Sequence, residues 1–162
     1  IMMGLASGMA PIIGQNFGAK KYDRVRETLK KAISFSIIWS LCVTAALMIF
    51  AHPLSTVFSD DATVRGFIVL YFLTVPLSYV LSNIVSGWTS AFNALGQPKI
   101  AASMLFLKTI VASIPAVMIG GYFYGAHGVF IALTCVNIIL GIFAHLWSWN
   151  KVKALTQEVK QA

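Results

Sequence analysis

Long apolar stretches alternate with short polar ones along this chain, and the apolar stretches carry no charge. Asp, Glu, Lys and Arg are absent from residues 1–19, 32–59, 66–98 and 109–150. A helix needs about 20 apolar residues to cross a hydrocarbon core about 30 Å thick. The 28-residue run 32–59 and the 33-residue run 66–98 each hold one crossing, and the 42-residue run 109–150 holds nearly two. Gly120-Gly121 and Gly125-Ala126-His127-Gly128 interrupt that last run as a turn signal. The pattern predicts an all-α, polytopic transmembrane bundle with helices over about 1–18, 32–52, 62–94, 99–121 and 128–150.

Local signals refine these elements. In the first helix, Gly4-xxx-Gly8 and Gly14-xxx-Gly18 place small residues where a neighbour can approach, and Pro11 is expected to kink it. Segment 19–31, AKKYDRVRETLKK, holds six basic and two acidic residues, with Tyr22, Val25 and Leu29 at helical spacing. It reads either as a short amphipathic helix on the membrane surface or as a solvated linker that fixes orientation. Ser36, Ser40 and Thr44 share one face of the second helix, and His52-Pro53 is expected to end it. Ser59-Asp60-Asp61 offers an N-cap to the third helix. That helix reaches about 45 Å at 1.5 Å per residue, so it must tilt, project or kink, with Pro76 as a kink point. Ala94-Leu95-Gly96-Gln97-Pro98 ends it; Lys108 and Pro115 interrupt the fourth helix; Asn150-Lys151 closes the fifth, leaving 151–162 as a polar tail. An apolar helix that starts at Ile1 suggests a piece of a longer chain.

Composition agrees with the pattern. The chain is 58% hydrophobic and 10% charged, against about 25% charged in soluble domains, and its mean hydropathy is +0.81. An ordinary soluble domain is excluded. The net charge of +7 does not point to nucleic acid, because the cations sit at the ends of apolar spans. Residues 20–31 carry six Lys and Arg, Lys99 is one and the tail holds three, making ten at one side; Arg65 alone lies at the other and Lys108 lies within a span. By the positive-inside rule, the 19–31 segment, the 95–99 turn and the C-terminus are expected in the cytoplasm, in a bacterial inner (plasma) membrane. Trp147 and Trp149 fall where an interfacial aromatic belt belongs. Cys42 and Cys135 lie in mid-span and read as small apolar residues without a disulfide.

No catalytic constellation is present: there are no paired His and Cys ligands for a metal, no Gly-rich phosphate loop and no GxSxG. The chain therefore reads as no enzyme and as holding no cofactor. The spans contain no carboxylate, so any acid that couples a cation to transport is expected outside this segment. The third helix has the clearest polar face: Ser78, Ser82, Ser86 and Ser90 at four-residue spacing, with Tyr79, Asn83, Thr89 and Asn93 beside them. Such groups turn away from lipid, toward other helices or a wet cavity, and both readings stand. The fifth helix carries Thr134, Asn137, Gly141, His145 and Ser148 as a close-packing stripe, in which Asn137 is also a cavity candidate. Lys108 lies about 13 Å inside the basic end at 1.5 Å per residue. It either snorkels to the interface or faces the central cavity.

Gly14-Gln15-Asn16-Phe17-Gly18-Ala19, followed by Arg24, resembles the G-Q-N-x-G-A…R signature of MATE (multidrug and toxic compound extrusion) efflux transporters, found where an out-to-in helix meets a basic cytoplasmic segment. Ala94-Leu95-Gly96-Gln97-Pro98, Pro115 and Gly128-Val129 fall at matching places, so the resemblance covers essentially the whole chain, as the later part of a C-terminal six-helix lobe. It implies a twelve-helix, two-lobe transporter whose N-terminal lobe is missing from this segment. It also implies a secondary active antiporter that exports small organic, often cationic, compounds against Na⁺ or H⁺ by lobe rocking. Tyr79, Ser82, Asn83, Ser86, Thr89, Asn93, Lys108 and Asn137 would be its cavity candidates here. Some branches carry a cation-binding acid on the helix matching 62–94; this sequence has none there, which places the coupling ion's site in the absent part. Two other readings remain: a lipid-linked oligosaccharide flippase of the same superfamily, and a non-transporting membrane scaffold.

Overall fold

A computed structural model describes the backbone of residues 1–161 and the side chains of residues 1–157. The Lys160 side chain and Ala162, both counted in the expected tail, lie outside the described residues. The described chain is helical almost throughout: α1 (Met2–Gly18), α2 (Tyr22–Ile49), α3 (Ala51–Phe58), α4 (Ala62–Ala94), α5 (Pro98–Phe106), a π-helical segment (Leu107–Ser113) and α6 (Ile114–Gln161). Three stretches are long and apolar enough to cross a membrane: α2, α4 and the continuous run Pro98–Gln157.

That last run holds two crossings, as its length requires. Gly125 sits at φ 56°, ψ −140°, a conformation open essentially only to glycine, and the chain reverses there. Gly120 and Gly128 then meet so closely that a Cβ on either would strike the other's carbonyl. The limbs 114–124 and 126–161 thus form an antiparallel hairpin.

Several elements depart from the sequence expectation. Segment 19–31 is no separate surface helix, because α2 starts at Tyr22 and runs unbroken to Ile49. One buried stripe explains the continuity: Tyr22, Val25, Leu29, Ala32, Ser36, Ser40 and Thr44 recur at three- and four-residue steps, and no Gly or Pro falls between them. His52-Pro53 does not end α2. The interruption is at Phe50, and Pro53 is the third residue of α3, where the N–H it lacks would have no helical partner anyway. The polar tail is helical and packed: Val152 and Thr156 are buried, and Arg26 Nε donates to Thr156 Oγ1 at 3.0 Å. Lys30 and Lys153 both stand over the Trp149 ring, at 5.8 and 5.6 Å from its centroid. Of the four glycines in the α1 pairs, only Gly14 meets a neighbour, with its Cβ position 3.4 Å from the Ala94 carbonyl oxygen; nothing described lies near Gly4, Gly8 or Gly18.

Helix ends follow ordinary capping chemistry. The Asp61 carboxylate accepts from the Thr63 and Val64 N–H groups at 2.7 and 3.2 Å, and these bonds hold its pKa below the usual 3.8. Helices α1 and α4 both end with a residue of positive φ, Lys20 (57°) and Gly96 (73°). In each case the next N–H bonds back to the helix, Lys21 to the Asn16 carbonyl and Gln97 to the Phe92 carbonyl, both at 2.8 Å. This is the Schellman closure.

Packing is inverted relative to a soluble bundle. In the membrane half of α2 the buried residues are Ser36, Ser40 and Thr44, while Phe35, Ile38, Leu41, Met48 and Ile49 face outward. Lipid is as apolar as leucine, so large side chains gain little by burial and close approach of small residues decides the contact. At the end of the bundle bearing the basic turn, packing becomes soluble-like. Trp88 and Phe92 are fully buried there among Val25, Leu29, Ile13 and Val152.

Candidate functional site: a polar cleft along α4

Helix α4 is the central element, and its polar residues distribute over three surfaces. One faces α1 and α2, where an open cleft of about 280 Å³ lies between the three helices, lined by Ser7, Ser36, Asn83, Ser86 and Ser90 among apolar residues. A smaller cleft of about 130 Å³ carries it further from the basic end, past Ser40, Thr44, Tyr79 and Asn83. Interhelical bonds fix the walls: Asn83 Nδ2 donates to Ser40 Oγ at 3.1 Å, and Thr44 Oγ1 to the Pro76 carbonyl at 3.0 Å. Proline contributes an acceptor as well. Pro11 lies inside α1 and has no N–H, so the Ser7 carbonyl, four residues back, loses its helical donor beside the cleft.

The second surface meets the hairpin. Lys108 Nζ donates to Ser82 Oγ, a short contact across the α4 interface. Ser82 lies twelve residues from the end of α4 and Lys108 ten from the start of α5, about 18 and 15 Å along the helix axes. The amine therefore reaches sideways into the bundle and does not snorkel toward the basic end. The backbone at Lys108 is π-helical, a rare geometry enriched at functional sites. The Ser113 hydroxyl accordingly bonds the Lys108 carbonyl five residues back, at 2.8 Å. Pro115 supplies the local reason: its ring clashes with the carbonyl four residues back, and a widened turn relieves this.

The third surface is pure packing. Asn137 is buried and its Nδ2 donates to Ser78 Oγ at 3.1 Å, so it belongs to the α4–α6 interface and lines neither cleft. Gly141 follows one turn on, against the Leu81 backbone. Another turn brings His145, whose Nδ1 accepts from Trp88 Nε1 at 3.3 Å.

Of the eight sequence candidates, Tyr79, Asn83 and Ser86 thus line the clefts, with the Tyr79 hydroxyl 2.8 Å from that of Tyr71. Ser82 and Lys108 pair outside the clefts, on the hairpin side of α4, where Lys108 borders a small hollow with Leu107, Phe143 and Trp147. Thr89 bonds its own helix at the Val85 carbonyl, and Asn93 is exposed near the end of α4. The motif residues build the α1–α2 turn: Asn16 Nδ2 donates to the Ile12 carbonyl at 2.8 Å, Ala19 caps α1, and Gln15 and Arg24 are exposed. Ser7 and Ser36 were not among the cavity candidates, and Ser90 was read only as part of the α4 polar face. The four-residue repeat of Ser36, Ser40 and Thr44 was the available signal, but it did not say which helix it would face.

Comparison with known proteins agrees with this architecture. An FAD transporter of Shewanella oneidensis is 29% identical over 142 residues, 88% of this chain and 31% of its own length. The multidrug export protein MepA of Staphylococcus saprophyticus is 28% identical over 147 residues, 90% of this chain and 32% of its own. The segment thus spans about a third of the length of these curated relatives, and both carry the names of transporters. The bent-form crystal structure of the Vibrio cholerae MATE transporter VcmN superposes with a TM-score of 0.87 at 27% identity, over 94% of this chain and 35% of that one. An outward-facing multidrug resistance MATE family transporter shares the fold, with a TM-score of 0.89 at 21% identity, over 96% of this chain and 36% of that one. The MatE family model matches residues 1–119, and the chain, a multi-pass membrane segment, belongs to the MatE family.

Proposed function

We propose that the protein carrying this segment is a secondary active exporter of small organic, mainly cationic, compounds, driven by a Na⁺ or H⁺ gradient. In this reading the segment is part of one lobe, and an N-terminal lobe of the same chain closes the cavity and rocks against it. The basic turn and the C-terminal helix face the cytoplasm from a bacterial inner membrane. The observation that carries the reading is the cleft beside α4, where Asn83, Ser86 and Ser90 stand on a wall whose outer side is apolar. Polar groups kept wet at membrane depth mark a solute path. The coupling acid would lie elsewhere in the chain, since no Asp or Glu occurs within these spans.

A second reading, an anionic substrate, is favoured by Lys108, a cation well inside the membrane-spanning run, held at the interface of α4 and the hairpin by Ser82. Among the relatives, the one named as an FAD transporter fits it.

One experiment separates these. The full-length chain is reconstituted in proteoliposomes, Na⁺ and pH gradients are imposed separately, and uptake of a fluorescent organic cation and of FAD is followed. The double variant N83A/S86A is expected to cut transport at least tenfold while remaining folded; unchanged transport would remove the cleft from the solute path. K108M is expected to spare the cation and to abolish FAD movement only if the anionic reading holds.

A further inference from the structure

A separate groove runs along the outer side of the hairpin. It has a volume of about 390 Å³ and lies between α5 and the second limb of α6, with Lys99 and Ser103 at one end and Leu107, Phe143 and Trp147 along it. Its walls are two facing stripes. On α5 and the π-helical turn, Lys99, Ser103 and Leu107 follow at four-residue steps. On α6, Phe143 and Trp147 do the same, and Lys151, exposed and outside the groove's lining, is the next step beyond its mouth. Residues four apart share a helix face. Because the limbs are antiparallel, both lysines stand at the same end, the one bearing the basic turn. Ile100 and Met104 complete the lining, in which Lys99 is the one charged residue, and Leu107, Phe143 and Trp147 remain 45%, 59% and 41% exposed.

A groove with one lysine at its mouth, a second one helical step beyond it and an apolar depth matches an amphiphile with an anionic head and a hydrocarbon tail. The mouth lies at headgroup level, because α5 begins there and Trp147 stands just inside it, at the depth tryptophan favours. Basic pockets between membrane helices are known to hold anionic headgroups. The geometry points to a binding site for one anionic phospholipid of the surrounding bilayer, its phosphate between Lys99 and Lys151 and an acyl chain over Leu107, Phe143 and Trp147. The site depends only on membrane insertion and stands whether or not the transport reading does.

Trp147 provides the probe. The full-length chain is placed in nanodiscs that contain increasing brominated phosphatidylglycerol or brominated phosphatidylcholine. The Trp147 signal is taken as the difference between the native chain and Trp147→Phe. That signal is expected to be quenched at a several-fold lower fraction of the anionic lipid, on the scale of about fivefold per lysine near an anionic surface. In K99Q/K151Q the two lipids should quench equally, and K151Q alone should leave an intermediate preference. K20Q/K21Q, which removes the same charge from the same end outside the groove, should keep the native preference. Equal quenching in the native chain would overturn the site, as would loss of preference in K20Q/K21Q or a Trp147 signal that neither lipid reaches.

Discussion

Gly141 is where the contact between α4 and α6 is least tolerant of added volume. A Cβ there would lie 2.5 Å from Leu81 Cβ, 2.9 Å from the Leu81 carbonyl oxygen and 3.0 Å from its carbonyl carbon. Carbon atoms settle at about 3.5–4.0 Å, so Gly141→Ala must drive α6 from α4 by about 1–1.5 Å. Two of the three obstructing atoms are backbone, and no rotamer change on α4 relieves them. The displacement acts on bonds one turn to either side. Asn137–Ser78 at 3.1 Å and Trp88–His145 at 3.3 Å would both open beyond 4 Å. Overpacking costs about 1–3 kcal/mol, and interhelical hydrogen bonds in membranes average about 0.6 kcal/mol each. The sum is about 2–4 kcal/mol. Gly87→Ala is the matched control on α4, because its Cβ would meet only the flexible Met9 Cε, at 3.9 Å. Equilibrium unfolding of the full-length chain in mixed micelles, with Trp emission as readout, should show Gly141→Ala destabilised by that amount and Gly87→Ala close to native. Equal stability of the two variants would refute the claim that α4 and α6 are held at contact distance by the missing side chain.

Two smaller predictions concern the ends of helices. Lys20 and Gly96 close their helices with the same bond pattern at φ 57° and 73°; since a side chain at positive φ costs about 1 kcal/mol, Lys20→Gly should stabilise and Gly96→Ala destabilise by about that amount in the same assay. Asp61, whose folded pKa is held below 3.8 by the N–H groups of Val64 and Thr63, should support the start of α4 at neutral pH. That support is lost as pH falls through its folded value, so amide protection at residues 62–66, relative to unstructured amides at the same pH, should drop there in the native chain, whereas Asp61→Ala should show the lower protection at all pH values.

How much of this was legible beforehand depended on whether a feature is set by solvent or by a neighbour. The spans, the polar face of α4 and the hairpin turn were readable because lipid excludes charge and demands internal backbone bonding, and only glycine accommodates Gly125. Partners were not readable. The Ser36, Ser40 and Thr44 repeat announces a contact face without naming α4, and Asn137 looks the same in sequence whether it bonds Ser78 or water. The amphipathic start of α2 misled for a related reason. Tyr22, Val25 and Leu29 mark a surface helix when alone, but they are in phase with Ala32, Ser36 and Ser40, and that phase makes one element of both.

The case of Lys108 joins these strands. A lysine at this depth can place its charge in only a few ways, and its stem is long enough to reach the headgroups. The backbone decides otherwise. Pro115 cannot bond the carbonyl four residues back, and the π-helical turn from Leu107 to Ser113 absorbs that defect by resetting the helical phase between Lys108 and the limb that follows. Lys108 stands nine residues beyond Lys99, two and a half turns of helix, so it faces away from the stripe Lys99, Ser103, Leu107 and its amine meets Ser82 on α4, while the π-helical turn re-aims the residues that follow.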